Sequence, residues 1–330
     1  MESDGQKSGI GRLASNPNSF RAGELHTDEI SGALPPDPQA AAQLRVSHPT
    51  VSEVIADLEH TFGVRLLDRG PHGVAPTVYG AALLKRCIAA FDELKQSGRD
   101  IEFLANVTAG ELRIGCAESL SAAILPQVIE RFSQQYPRVV LRVDSVVTGT
   151  AEMPMLRGRS LDLVLARMRP LQELRFADDL KVEILFDERL VIVAGMENPL
   201  ARRRKVDLAD LVDEPWLLTS SDNWNYAMVA EAFRARGLES PKVAVKTLSV
   251  HLRTNLLGTG RFITALPASV MRLYAERLGL KALPVNIPVR PWPVAIVTLR
   301  HRTLSPVVER FIECTRDVAK SFAGPARVRN

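Results

Sequence analysis

Only three cysteines, Cys87, Cys116 and Cys314, occur in the 330 residues. Odd in number and far apart, they make neither a disulfide framework nor a zinc ligand set, so reduced thiols are expected. No apolar run approaches the roughly 20 residues that span a bilayer. Residues 1–38 are polar and mixed in charge, without the apolar stretch of a secretory signal. A cytoplasmic chain with no membrane partner is predicted. Catalytic signatures are missing as well: there is no HExxH, no glycine-rich phosphate loop and no Ser-His-Asp set, and the six histidines are dispersed. The expectation is therefore no catalytic residues, no metal, no cofactor and no enzyme. What is present is ordinary globular material, 46% apolar and 24% charged, which excludes collagen and wholesale disorder. The length suggests two or three domains of about 100–150 residues each. A net charge of +4 hints at nucleic acid, but its distribution does not: residues 1–36 carry 3 basic and 5 acidic side chains, 37–106 carry 7 and 9, and the remainder 32 and 24.

Along the chain, residues 1–38 read as an irregular arm ending in Pro35, Pro36 and Pro38. From Gln39 the texture changes. Ala40, Ala41, Leu44 and Val46 form one short amphipathic helix, and Val51, Ile55, Leu58 and Phe62 a second, with Ser47 as its cap and Pro49 in its first turn. Gly63 stops that helix. Val64, Leu66, Leu67, Arg69 and then Val74 and Thr77, around a Gly70–Gly73 turn, predict a hairpin. Two helices with a sharp turn and a following hairpin make a winged helix-turn-helix, whose second helix fits a major groove about 12 Å wide. His48, Thr50, Ser52 and Glu53 are the positions it would present to base edges. A long helix follows over 79–105, with Leu84, Phe91 and Ala105 in one row of a heptad-like seam and Cys87, Leu94 and Ile101 in the other, interrupted by Gly98. Beyond it, strands are predicted over 111–117, 139–147, 161–168, 182–195, 216–219, 243–248, 262–266, 281–285 and 293–299. Helical periods lie between them, such as Ile124, Leu125, Val128, Ile129 and Phe132. That alternation argues for parallel α/β sheets in two lobes.

The run AAAQLRVSHPTVSEVIADLEHTFGVRLLDRGPHGVAPTVYGAALL resembles the reading head of LysR-type transcriptional regulators. It carries the paired alanines, the Val-Ser-x-Pro-x-Val-Ser turn, Leu58-Glu59, Phe62-Gly63, Leu66-Leu67-x-Arg69, Thr77 and Gly80. The resemblance continues through LRIG at Leu112 to Gly115, Leu125-Pro126, Leu161-Asp162-Leu163, Asn198-Pro199-Leu200-Ala201 and Gly260 to Pro267. It implies an α/β protein with an N-terminal winged helix-turn-helix and a two-lobed, type 2 periplasmic-binding-protein-like effector domain. The divisions it implies are an arm over 1–38, the winged helix-turn-helix over 39–78, a linker and dimerisation helix over 79–109, lobe one over 110–187 plus 290–325, and lobe two over 188–289. The implied partners are double-stranded DNA, a small-molecule effector held between the lobes, and further copies of the chain in a homodimer or homotetramer paired through Leu84, Cys87, Phe91, Leu94 and Ile101. A ligand touching both lobes favours one arrangement of them, and that difference in affinity is what shifts the grip on DNA.

Residue by residue, the DNA-facing set is Ala41, Ser47, His48, Pro49, Thr50, Ser52 and Glu53, with Arg65 and Arg69 on phosphates. Ligands in α/β lobes sit at carboxyl ends of strands and at helix starts. That places Ser119, Leu120 and Ser121 after the first strand of the effector region. Thr148 and Thr150 follow the second, one of them matching the family's ligand-touching hydroxyl. Arg167 ends the third strand, either to pair with a ligand carboxylate or to form an interlobe ion pair. Thr219, Ser220, Ser221 and Trp224 face them from the other lobe. Cys116 falls in a predicted buried strand and is expected to be a core thiol. Two departures from the family pattern stand out. Its apolar first helix is not matched by 21–35, where only Leu25, Ile30 and Leu34 are aliphatic beyond alanine. Either a divergent arm substitutes, or the start or reading frame upstream of about Gln39 is different. His48 and Glu53 stand where the family often carries glutamine and a basic residue. The alternative function is accordingly a cytosolic small-molecule-binding protein with DNA binding impaired by the missing first helix.

Overall fold

The computed structural model describes residues 48–70, 73–105, 109–148, 152–168, 178–221 and 223–322. The expected helix over 39–46 and Ser47, the expected cap of the second helix, lie outside these. The chain divides into two compact units between Lys95 and Gln96.

In the first unit, helix α1 (His48–Phe62) ends at Gly63, whose φ of 67° is the left-handed geometry that glycine adopts without strain. Strands β1 (Leu67–Gly70) and β2 (Gly73–Pro76) pair antiparallel as the wing. The wing is tied to α1 by Glu59, whose Oε1 accepts the backbone N–H of Leu66 at 2.7 Å and of Leu67 at 3.1 Å. Those two bonds hold the Glu59 carboxyl below the usual range. Thr77 then caps helix α2 (Val78–Ala105), its hydroxyl accepting from the N–H of Gly80 at 3.0 Å. A Cβ on Gly80 would lie 1.9 Å from the Leu66 carbonyl oxygen, so only glycine permits this close approach of helix and wing. Helix α2 runs unbroken through Gly98. On the seam, Phe91, Leu94 and Ile101 are exposed, while Leu84 and Cys87 are half-buried.

The second unit carries two five-stranded sheets, one per lobe. The first has the order β4-β3-β5-β12-β6, from β3 (Ala109–Cys116), β4 (Arg138–Ser145), β5 (Leu163–Arg167), β6 (Leu180–Glu188) and β12 (Trp292–Leu299). Helix α3 (Glu118–Ser121) follows β3. Helices α4 (Ile124–Gln135) and α9 (Pro306–Ala319) cover one face, where Phe132 meets Phe311 edge-on and Leu112, Ile114 and Leu163 are fully buried. On the other face, α5 (Pro154–Arg157) begins at the proline itself and packs Leu156 against Leu161 and Val164. The second sheet has the order β11-β7-β10-β8-β9, from β7 (Leu190–Gly195), β8 (Trp216–Leu218), β9 (Val243–Lys246), β10 (Ile263–Pro267) and β11 (Leu280–Ala282). Helix α6 (Trp224–Ala235) covers one face, and α7 (Val250–Leu257) and α8 (Ala268–Tyr274) the other.

Two expectations are corrected. The single strand predicted over 182–195 is two strands, because the chain leaves one sheet after Glu188 and enters the other at Leu190 with only Arg189 between; periodicity cannot tell which sheet a strand joins. The sheets are mixed rather than parallel. β12 returns antiparallel to both β5 and β6, and β7 runs antiparallel to both β10 and β11. These reversals are where the chain passes from one lobe to the other and back.

Candidate functional site

A cavity of about 260 Å³ opens where the two lobes face each other. The first lobe lines it with Ala117, Glu118 and Ser119, at the end of β3 and the start of α3, and with Ser145 to Thr148 after β4. The second lobe supplies Thr219, Asn223, Trp224, Asn225, Leu248, Arg253 and Pro267. Most of these lie just beyond the carboxyl ends of strands, where an α/β sheet leaves backbone groups available to a ligand.

Arg167 lies behind the first wall. It ends β5 and is wholly buried. One guanidinium nitrogen donates to the Ser119 hydroxyl, and another reaches Glu188 Oε2 at 3.2 Å. The guanidinium carbon lies 4.8 Å from the centre of the Trp224 ring, a cation–π distance. Glu188 in turn accepts from the Ser269 hydroxyl at 2.6 Å and from its N–H at 3.2 Å. Arg167 therefore touches a hydroxyl of its own lobe, an aromatic ring of the other, and a carboxylate anchored to the other. Burial pushes its guanidinium down, and the Glu188 charge opposes that. Its Nε has no hydrogen-bond partner among the described residues.

The second wall is built on α6 and α7. Asn223 caps α6 by accepting the N–H of Asn225 at 3.1 Å, which fixes Trp224 at the helix start. Thr219 accepts the N–H of Tyr226 at 3.3 Å. Ser249 caps α7 through the N–H of Leu252. At its far end, α7 lies so close to β7 that a Cβ on Gly195 would sit 2.1 Å from the Leu257 carbonyl oxygen. This packing sets Arg253 into the cavity wall, 3% exposed, with one nitrogen donating to the Ala265 carbonyl at 3.2 Å. Among the described residues its Nε also lacks a partner, as does Oδ1 of Asn225. Burial pushes the Arg253 guanidinium down to about 10, so it stays charged at neutral pH.

Of the residues singled out in the sequence, Ser119, Thr148, Thr219 and Trp224 line the cavity and Arg167 lies directly behind it. Leu120 does not: it is fully buried in the first lobe's core, because one step along α3 turns the side chain from cleft to sheet. Ser121 is off the lining. Ser220 and Ser221 are exposed, also off the lining. Thr150 lies outside the described residues. Arg253, Asn225 and Glu188 were missed. Arg253 had a signal: Val250, Arg253, Thr254 and Leu257 share one helical face, which puts a charge on the apolar side. Cys116 is buried, and burial pushes its thiol up to about 12, an unreactive state.

In the head, α1 includes His48, Pro49 and Thr50, whose side chains lie outside the described set; Ala41 and Ser47 lie outside it altogether. Ser52 is half-buried, and Glu53, Arg65 and Arg69 are exposed. No helix among the described residues is long and apolar enough to cross a membrane.

Comparison with known proteins agrees with this arrangement. The LysR substrate binding domain matches residues 105–320, and the bacterial regulatory helix-turn-helix of the lysR family matches residues 38–81. The regulator GbpR of Azospirillum brasilense is 24% identical over 81% of this chain and 78% of its own length. BenM of Acinetobacter baylyi is 28% identical over 80% and 86%. Among solved structures, full-length OxyR from Pseudomonas aeruginosa superposes with a TM-score of 0.59 at 22% identity, covering 86% of this chain and 88% of that one. With both family models matched in order, and with a winged helix-turn-helix followed by two α/β lobes around a cleft, the chain belongs to the LysR family of ligand-responsive, DNA-binding transcriptional regulators.

Proposed function

We propose that the interlobe cavity is the effector site and that Ser119, Thr148, Arg167, Thr219 and Trp224 form its polar and aromatic frame. The observation that carries this reading is the chain of contacts from Ser119 through Arg167 to Glu188 and Ser269, with Trp224 against the guanidinium. A molecule displacing or extending that chain changes the relative stability of lobe arrangements, which is all that an effector needs in order to act at a distance. Lobe one is assigned to 110–187 plus 290–325 and lobe two to 188–289. The working form is a homodimer or homotetramer paired through Leu84, Cys87, Phe91, Leu94 and Ile101 on α2. In the head, the N-terminal part of α1 enters the major groove, and Arg65 and Arg69 contact phosphates. The role is regulatory rather than catalytic, in the cytoplasm, with Ser119 occupied as a hydrogen-bond partner of Arg167 rather than paired with a base.

A gel-shift titration of the full chain against its own upstream DNA, at stated salt, tests this. A specific complex whose affinity or footprint changes with a cleft ligand supports it. Ligand binding without any specific complex would favour the alternative, a small-molecule-binding protein that has lost its DNA grip.

A further inference from the structure

The two buried arginines differ in one respect that specifies a ligand. Arg167 has a counter-charge of its own in Glu188 at 3.2 Å. Arg253 has none: among the described residues no carboxylate lies within ion-pair distance, and its only hydrogen bond goes to a backbone carbonyl. A desolvated cation without a counter-ion is unfavourable by several kcal/mol. The fold nevertheless keeps it, with Nε unpaired, in the wall of a cavity. Glu118 also lines the cavity, half-exposed and beyond ion-pair range of Arg253. A single unmatched positive charge with a carboxylate nearby favours a monoanion over a dianion. Beside uncharged hydroxyl and amide groups, among them Ser119, Thr148 and Asn225, the lining has an apolar and aromatic part: Ala117, Val146, Val147, Trp224, Leu248 and Pro267. A volume of about 260 Å³ lies just under the roughly 300–1,000 Å³ of drug-sized sites, which restricts the occupant to a small metabolite.

We propose that the effector is a small organic monocarboxylate with an apolar or aromatic body, its carboxylate held by Arg253 and its body lying between Trp224 and the Val146–Val147 segment. This rests on the cleft being the effector site. The planar guanidinium edge suits a carboxylate, which accepts two parallel hydrogen bonds. Binding supplies the close counter-charge that Arg253 lacks among the described residues, where Glu118 acts on it only from beyond ion-pair distance.

The test uses the full chain and matched probes: benzoate, phenylacetate and cyclohexanecarboxylate, each beside its primary amide, with phthalate as the dianion. Thermal shift and tryptophan fluorescence are read for wild type, Arg253→Met and Arg253→Lys. The monocarboxylates are expected to raise Tm and perturb the fluorescence, and the amides and phthalate to do so at least about tenfold more weakly, the scale of one charge-assisted hydrogen bond. Arg253→Met is expected to lose the carboxylate response and to unfold, without ligand, no lower than wild type, because it removes an uncompensated buried charge. Arg253→Lys retains part of the response. Amides that bind as tightly as their acids, in a manner sensitive to Trp224→Leu, would overturn the monocarboxylate proposal and leave the cleft reading standing. An Arg253→Met variant that unfolds several degrees lower yet binds carboxylates unchanged would also overturn the proposal, since it would make Arg253 structural. No response to any probe, charged or neutral, would count against both.

Discussion

The effector unit buries the charges it works with, whereas the reading head displays them. In the cleft, Arg167, Glu188 and Arg253 are each 3% exposed or less; in the head, Glu53, Arg65 and Arg69 face solvent. Burial makes each cleft charge costly alone and strong when matched, so a ligand of the right sign has large leverage over lobe geometry. Exposure makes each head charge individually weak and sensitive to salt. The head's composition reinforces this, since residues 37–106 carry 7 basic and 9 acidic side chains. These features predict a weak non-specific grip on DNA.

This contrast can be tested most forcefully at Glu188. Glu188→Ala leaves Arg167 buried without its counter-ion and is expected to cost roughly 3–5 kcal/mol, read from urea unfolding followed by tryptophan fluorescence. A loss well under 1 kcal/mol would show that the Ser119–Arg167–Glu188 relay is not a strut between the lobes. Asp162 comes next. Its carboxylate accepts from Arg113 at 2.8 Å and Arg302 at 2.9 Å. Burial alone would raise its pKa, but these arginines and the Arg113 N–H hold it below the usual range. A depressed carboxylate stabilises the fold above its unfolded pKa of about 3.9, and that contribution disappears as pH falls through the lower folded value. The urea midpoint should thus drop as pH falls below about 4, and Asp162→Asn should flatten that drop.

Smaller effects belong to the head. Thr50→Ala and Ser52→Ala are each expected to weaken specific binding by roughly 1–3 kcal/mol if they read a base; equal weakening on random DNA would show that they do not. Arg65→Ala or Arg69→Ala should lower the slope of log K against log salt by about 0.9 for each phosphate that is no longer neutralised, and should weaken all sequences alike. The same salt series run on ligand binding to the cleft should be nearly flat. A steep cleft dependence would remove the contrast between buried and displayed charge.

Much of this was legible in the sequence where chemistry and position coincide locally. The α1 period, the Gly63 stop and the hairpin around Gly70–Gly73 are short-range signals, and each element formed accordingly. Ser119, Thr148, Thr219 and Trp224 line the cavity, a placement readable from hydroxyls and an aromatic residue that follow strands. Leu120 was misplaced because one step along the helix rotates the side chain by about 100°, from the cleft to the core. Glu188, Asn225 and Arg253 escaped because their significance is tertiary. Glu188 matters through Arg167 and Ser269, 21 and 81 residues away, and no local pattern encodes those partners. The change of sheet at Arg189 is likewise tertiary, although the charged Asp187-Glu188-Arg189 step marks the place in the sequence.

The central claim is that a small anion seated against Arg253 sets the grip on DNA. The most direct measurement is a gel-shift titration of wild type and Arg253→Met on the chain's own upstream DNA at fixed salt, with and without the carboxylate that the thermal-shift panel selects. The prediction is a ligand-dependent change in affinity or footprint for wild type and none for Arg253→Met, both binding equally without ligand. An identical ligand-dependent change in both proteins would contradict it.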